Sequence, residues 1–150
     1  MVIYEVLRLH PPLPLLVPRE NGEKVELNGY DVAINTRVIV KAWAINRDPR
    51  YWVKQEKFYP ERFLDCSTDY SGNYFQFIPF GAGRRICPGT LFGMTMVKLA
   101  IANLLYHFQW ELPFEMKQKG IDLTESLRTS RRRETAPRLN LIPVLYDGAT

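Results

Sequence analysis

The chain has 150 residues, enough for one ordinary domain, and its 46% hydrophobic and 24% charged content excludes a disordered tail. A net charge of +4 is too small to choose among nucleic acid, anionic lipid and acidic protein as partners. Two cysteines, Cys66 and Cys87, do not make a disulfide framework and form no CxxC pair for zinc, and a reducing compartment is favoured.

Ile3, Val6, Leu7 and His10 fall at helical spacing, and Pro11 and Pro12 end that helix because proline lacks an N–H and restricts the residue before it. No Ser, Thr, Asp or Asn caps its start, the pattern expected of a helix cut in mid-course. Leu13 to Pro18 is expected to be extended. Lys24–Leu27 and Tyr30–Ala33 flank Asn28-Gly29, a strong hairpin signal. Arg37 to Lys41 alternates and is β-branched, which predicts a strand. Trp43 to Asn46 predicts a short helical turn, and Asp65 to Asn73 a polar loop. Tyr74 to Cys87 is aromatic, then glycine-rich, with no helical period. Pro88 to His107 predicts the longest helix, with proline in its first turn. The apolar stretch Leu91 to Phe108 is interrupted by Gly93, Thr95, Lys98, Asn103 and His107, so it reads as a buried helix rather than a membrane span. Leu139 to Leu145 predicts a final strand. The expected class is α+β.

The most informative segment is Phe77-Ile78-Pro79-Phe80-Gly81-Ala82-Gly83-Arg84-Arg85-Ile86-Cys87-Pro88-Gly89. It reads as a glycine-punctuated turn that delivers a cysteine to the start of a helix, where unpaired N–H groups and the positive dipole end favour a thiolate. Arg84 and Arg85 add positive charge. Such a group serves as nucleophile, redox sensor or metal ligand; a free cysteine picked at random is more often a small buried hydrophobe. That bland reading leaves the glycines, the paired arginines and the following Pro-Gly unexplained. A phosphate cradle at Gly81-Ala82-Gly83 is weak, because GxGxxG is not completed.

The segment resembles the haem-binding signature of the cytochrome P-450 family, F-x-x-G-x-R-x-C-x-G, matched by Phe80, Gly83, Arg85, Cys87 and Gly89, and its form is similar to the plant microsomal members. The resemblance implies that Cys87 is the thiolate ligand of the iron of haem b. It implies that Phe80 packs near the sulfur, that Gly83 permits the turn, that Arg85 pairs with a propionate and that Gly89 lets the next helix approach the porphyrin. Thiolate ligation pushes electron density onto iron and favours O–O cleavage. Glu5-Val6-Leu7-Arg8-Leu9-His10-Pro11-Pro12 resembles the family's K-helix E-x-x-R, and Phe58-Tyr59-Pro60-Glu61-Arg62-Phe63 its P-E-R-F element. A lone E-x-x-R is usually a surface salt bridge; here the three motifs stand in family order, which implies a structural cluster of Glu5, Arg8 and Arg62. Arg19 matches a position that often contacts a propionate. Leu13, Leu15, Leu16 and Val17 match a substrate-recognition segment, a run that plain core packing fits equally well.

The resemblance therefore implies an incomplete domain spanning residues 1–150, the C-terminal portion of a mainly helical fold: the end of the K helix, small hairpins, the cysteine loop, the long L helix and a C-terminal β segment. It implies a haem-thiolate monooxygenase that inserts one atom of O2 into a small apolar organic substrate in plant secondary metabolism. Electrons would come from NADPH through a separate reductase docked near Arg84 and Lys98, with a full-length member on the cytosolic face of the endoplasmic reticulum. The chain carries neither the membrane anchor nor the distal oxygen-activating helix, so the alternative is a truncated, inactive fragment that holds haem weakly. A basic binding module is disfavoured because the aromatics sit inside apolar runs. His10 and His107 are expected to be packing residues, Cys66 incidental, and Arg131-Arg132-Arg133 a solvated face. Asp122 to Ser126 matches a family turn, whereas Leu127 to Ser130 lacks its glycine.

Overall fold

The computed structural model describes residues 1–119, 124, 126 and 139–144. The chain divides into two compact units, whose described parts are residues 1–87 and the residues from 88 onward.

In the first unit, α1 (Val2–Leu9) starts at Met1 without a side-chain cap and stops at His10, which leaves helical geometry ahead of Pro11. Its buried residues are Glu5, Arg8 and Leu9, which three- and four-residue spacing puts on one face. The stretch Leu13 to Pro18 is not extended as expected. Leu16 takes φ +50° and its N–H returns to the Leu13 carbonyl at 3.1 Å. Pro12, Pro14 and Pro18 have no N–H to give a ladder, so the chain turns instead.

β1 (Arg19–Glu20) follows. The expected hairpin forms between β2 (Val25–Leu27) and β3 (Tyr30–Val32), antiparallel, with Leu27 opposite Tyr30. Asn28 and Gly29 have φ of +54° and +81°, the paired positive values of a type I′ turn, whose twist suits a two-residue hairpin. β4 (Arg37–Val38) pairs antiparallel with β1, Arg19 opposite Val38. The expected strand over 37–41 ends early because the Val40 carbonyl accepts the Ala42 N–H, at 3.0 Å, and the chain enters α2 (Ala42–Ile45).

Trp52, Phe63 and Phe77 form the buried cluster of this unit, with Tyr4, Leu7 and Tyr70 packed against it. Phe63 meets Phe77 at 5.5 Å between centroids, and Tyr4 meets Phe63 edge-on at 5.5 Å, arrangements that suit the ring quadrupoles. Pro60–Phe63 is a single 3-10 turn packed against α1, and Gly83–Arg85 is a second inside the cysteine loop.

In the second unit, α3 spans Thr90–His107, beginning after Pro88 with Gly89 as N-cap. β5 (Phe108–Glu111) pairs antiparallel with β6 (Asn140–Pro143), the core of the strand expected over 139–145. α4 (Phe114–Lys119) follows β5. The expectations for 127–130 and for the 131–133 arginines lie outside the described residues. α3 does not match the expected buried helix: only Met94 is buried, and Leu91, Phe92 and Leu105 are 77%, 74% and 66% exposed. Apolar residues stand on every face of this helix, so one packing surface cannot cover it. His10 and His107 are exposed rather than packed inside, since each sits at a helix end where the chain turns away. Among the described residues no helix is long and apolar enough to cross a membrane.

Candidate functional site

The site begins one layer below the cysteine. Glu5 and Arg8 are fully buried and meet through two parallel bonds, Nε to Oε2 and Nη2 to Oε1, each 2.8 Å. Arg62 Nε donates to Glu5 Oε1 at 3.2 Å, and the Tyr59 N–H donates to the same oxygen at 2.9 Å. The expected cluster of Glu5, Arg8 and Arg62 is therefore present. One carboxylate faces two guanidiniums, which leaves an excess positive charge in a buried place. Backbone carbonyls absorb it. Arg8 Nη1 donates to Asn46 O at 2.9 Å and Gln55 O at 2.7 Å, and Arg62 Nη1 to Val53 O at 2.7 Å. Arg8 Nη2 and Arg62 Nη2 both reach Lys57 O, at 3.4 and 3.2 Å. The loop of residues 53–57 is thus wound around two fixed cations, with Lys54 at φ +51°. The Trp52 ring lies 5.3 Å from the Arg8 guanidinium carbon and 5.9 Å from that of Arg62, and adds its π face to both.

Arg47 sits at the edge of the cluster, over the Trp43 ring at 4.4 Å and 3.1 Å from Glu56. Burial pushes its pKa below the usual arginine value, against the opposing pull of Glu56.

The cysteine loop rises from this base. Phe77 and Pro79 are fully buried and Ile78 nearly so. The Gly81 N–H returns to Ile78 O at 3.1 Å, the Ile86 N–H to Gly83 O at 3.0 Å, and the Cys87 N–H to Phe80 O at 3.0 Å. The last bond closes the loop and fixes the backbone that carries the thiol. Gly83 turns with φ +69°, and a Cβ there would meet nothing within 4 Å, so the position is demanded by backbone geometry rather than by crowding. Phe80 is half-buried and stands edge-on to Tyr70 at 6.1 Å. Cys87, Arg84 and Arg85 are exposed.

Two other expected residues come to the loop. Arg19 Nη2 donates to Ala82 O at 3.4 Å, and Leu16 Cδ1 lies 3.7 Å from where a Cβ on Gly81 would stand. Leu13 is half-buried, and Leu15 and Val17 are exposed. Gly89 belongs to the second unit, where its carbonyl accepts the Gly93 N–H at 2.8 Å. Cys66 is exposed in the loop before Tyr70 and accepts the Thr68 N–H at 3.4 Å.

Sequence reasoning missed three residues beneath the loop. Asn46 joins the ion cluster to the loop, and Trp52 donates Nε1–H to Gln76 O at 3.1 Å. Gly72, at φ +86°, lies where an added Cβ would come 3.2 Å from Ala82 Cα and 3.3 Å from Gly81 O. The available signal was small: a polar residue closing the apolar run Ala42–Ile45, and a glycine in a polar loop.

The donor set suits an iron porphyrin. An exposed thiol stands at the end of a hydrogen-bonded loop, open space lies over Gly83, and the arginines Arg19 and Arg85 on or beside the loop can meet anionic side groups. A soft thiolate is a suitable iron ligand.

The cytochrome P450 family model matches residues 1–135. Cytochrome P450 71D10 of Glycine max is 52% identical over 95% of this chain, and premnaspirodiene oxygenase of Hyoscyamus muticus 53% identical over 90%. The chain spans 28% and 27% of their lengths. A zebrafish cytochrome P450 structure with progesterone superposes with a TM-score of 0.80 at 31% identity, over 95% of this chain and 30% of that one. Retinoic acid bound cyanobacterial CYP120A1 gives 0.78 at 29% identity, over 95% and 32%. With the family model covering nearly the whole chain and the signature loop closed on its buried ion cluster, this chain belongs to the cytochrome P450 family.

Proposed function

We propose that this chain forms the cysteine-side wall of a haem-thiolate monooxygenase, in which Cys87 would supply the thiolate that holds the iron of a b-type haem. The observation that carries this reading is the exposed Cys87 on a loop closed by its own N–H to Phe80 O. When bound, the haem supplies activation of O2 and transfer of one oxygen atom to a small organic substrate. The chain's residues supply the rest. Cys87 offers the thiolate, and the loop bonds hold it at one height. Arg85 and Arg19 pair with the propionates. Phe80 packs near the sulfur, Gly83 permits the tight turn, and Gly89 lets the next helix approach the porphyrin. Leu13, Leu15, Leu16 and Val17 line the substrate side.

Relatives such as premnaspirodiene oxygenase and 5-epiaristolochene 1,3-dihydroxylase of Nicotiana tabacum support an oxygenation role. In this reading electrons come from NADPH through a separate reductase on the cytosolic face of the endoplasmic reticulum, with Arg84 and Lys98 in the docking surface. Raising salt then weakens coupling, since exposed charges are screened over about 10 Å at 0.1 M.

The test is spectroscopic. In a haem-loaded form, Cys87→Ser is expected to abolish the red-shifted Soret band of the reduced carbon monoxide complex, and Cys66→Ser to leave it. A band unchanged by Cys87→Ser overturns the assignment.

A further inference from the structure

We propose that Asn46 is the positioning residue that sets the cysteine loop on the buried ion cluster. Asn46 is fully buried at the C-cap of α2, where its N–H bonds to Ala42 O at 2.9 Å. Its carbonyl accepts Arg8 Nη1 at 2.9 Å, and its side-chain Oδ1 accepts the Ile78 N–H at 3.3 Å. One residue thus holds the cation of the cluster by its backbone and the base of the loop by its side chain. From Ile78 the path to the thiol is short. Ile78 O receives the Gly81 N–H, and Phe80 O receives the Cys87 N–H.

The orientation of the carboxamide is fixed, since a backbone N–H can only donate and Oδ1 must face it. The other half of the amide makes the case stronger. Asn46 Nδ2 is buried with no hydrogen-bond partner among the described residues, an unfavourable state that a leucine of similar volume would avoid. The acceptor bond to Ile78 is the one polar contact this side chain makes among the described residues. Ile78 is itself 5% exposed, so no solvent would replace that acceptor if it were removed.

Two variants separate acceptor from packing. Asn46→Asp keeps an oxygen at the Oδ1 position, with Arg8 already bonded to this residue to offset the added charge. Asn46→Leu keeps the volume and removes the acceptor. Hydrogen exchange is measured on the full chain without haem. In the unaltered chain the Ile78 amide is expected to exchange slowly. Asn46→Leu is expected to speed it by roughly tenfold, the loss of one buried bond, while Asn46→Asp leaves it slow. An Ile78 amide that exchanges as fast as exposed loop amides in the unaltered chain overturns the proposal, whether or not the leucine variant folds. So does equal behaviour of the two variants, which would make Asn46 a packing residue.

The consequence for the iron rests on the function proposed above. In a haem-loaded form, Asn46→Leu is expected to lower the fraction of the reduced carbon monoxide complex showing the thiolate band, with Asn46→Asp restoring it. A missing band in the unaltered protein defeats the proposed function and leaves the exchange result standing. A normal band that Asn46→Leu does not change defeats this inference alone.

Discussion

In residues 1–87 the most demanding groups are answered from within the unit, whereas α3 leaves its demands open. The carboxylate of Glu5 accepts from two guanidiniums and a backbone N–H, and the guanidiniums donate to the carbonyls of residues 46, 53 and 55 as further partners. The aromatic rings above them close into one cluster. α3 carries apolar residues all round and buries Met94 alone. The difference shows that foldedness need not be spread evenly along this chain. A small region can be locally complete because its charges are solvated by backbone carbonyls, which are always at hand. A helix that is apolar on every face needs several neighbours at once, and the chain spans only 28% of the length of its relative from Glycine max.

Breaking the closed region is expected to have the largest effect. Arg8→Ala leaves Glu5 buried with part of its charge unanswered and strands the Asn46 and Gln55 carbonyls. A loss of about 3–5 kcal/mol is expected in denaturant unfolding of the first unit. A loss below 1 kcal/mol would mean that water reaches Glu5. Gly72→Ala comes next. It puts a Cβ against the loop backbone at a positive φ, and about 1–3 kcal/mol is expected, read as weaker protection of the Gly81 and Cys87 amides. Leu105→Ala on α3 sharpens the contrast from the other side. A residue 66% exposed in this chain is expected to cost within about 0.5 kcal/mol on truncation. A larger cost would show that α3 is covered in solution.

The smallest effect lies at the turn after α2. Asp48 Oδ1 accepts the Arg50 N–H at 3.0 Å, and the Arg50 guanidinium, hydrogen-bonded to the same carboxylate, holds the Asp48 carboxyl below the usual carboxylate range. A depressed folded value contributes stability that is complete above the unfolded pKa of about 3.9 and is lost as pH falls through the lower folded value. Asp48→Asn is expected to remove that acid dependence and to change stability at neutral pH very little, because its ion-pair partner Arg50 is exposed and solvent screens the pair. A steep change at pH 7 would contradict the turn geometry.

The parts of this fold legible in the sequence are those specified by residue chemistry at short range. Asn28-Gly29 allows few turns other than the one seen, and Pro11-Pro12 permits no continued helix. The cysteine signature and the Glu5–Arg8–Arg62 cluster were legible through resemblance to a family, since no local rule says that Arg62 returns to Glu5. What escaped was carried by groups that every residue has. The carbonyls of Val53, Gln55 and Lys57 serve as ligands to cations, and a carbonyl leaves no mark in the sequence. The two-residue strands Arg19–Glu20 and Arg37–Val38 are too short for a periodicity to register. Asn46 looked like the end of a helical turn, and only its separation of 32 positions from Ile78, closed in space, reveals its second bond.

The span of the Glu5 contacts also orders events in time. Its bond to Arg8 crosses three positions, while those to Tyr59 and Arg62 cross 54 and 57. The first needs only a turn of helix; the others must close a long loop before any enthalpy is returned. The hairpin at Asn28-Gly29 needs only a two-residue turn and forms on a scale of about 1–10 μs. On the ribosome, Glu5 and Arg8 are both made within the first helix, and about half a hundred residues more must follow before their third partner is made. The ion cluster of the first unit therefore cannot be complete before Arg62 has been made.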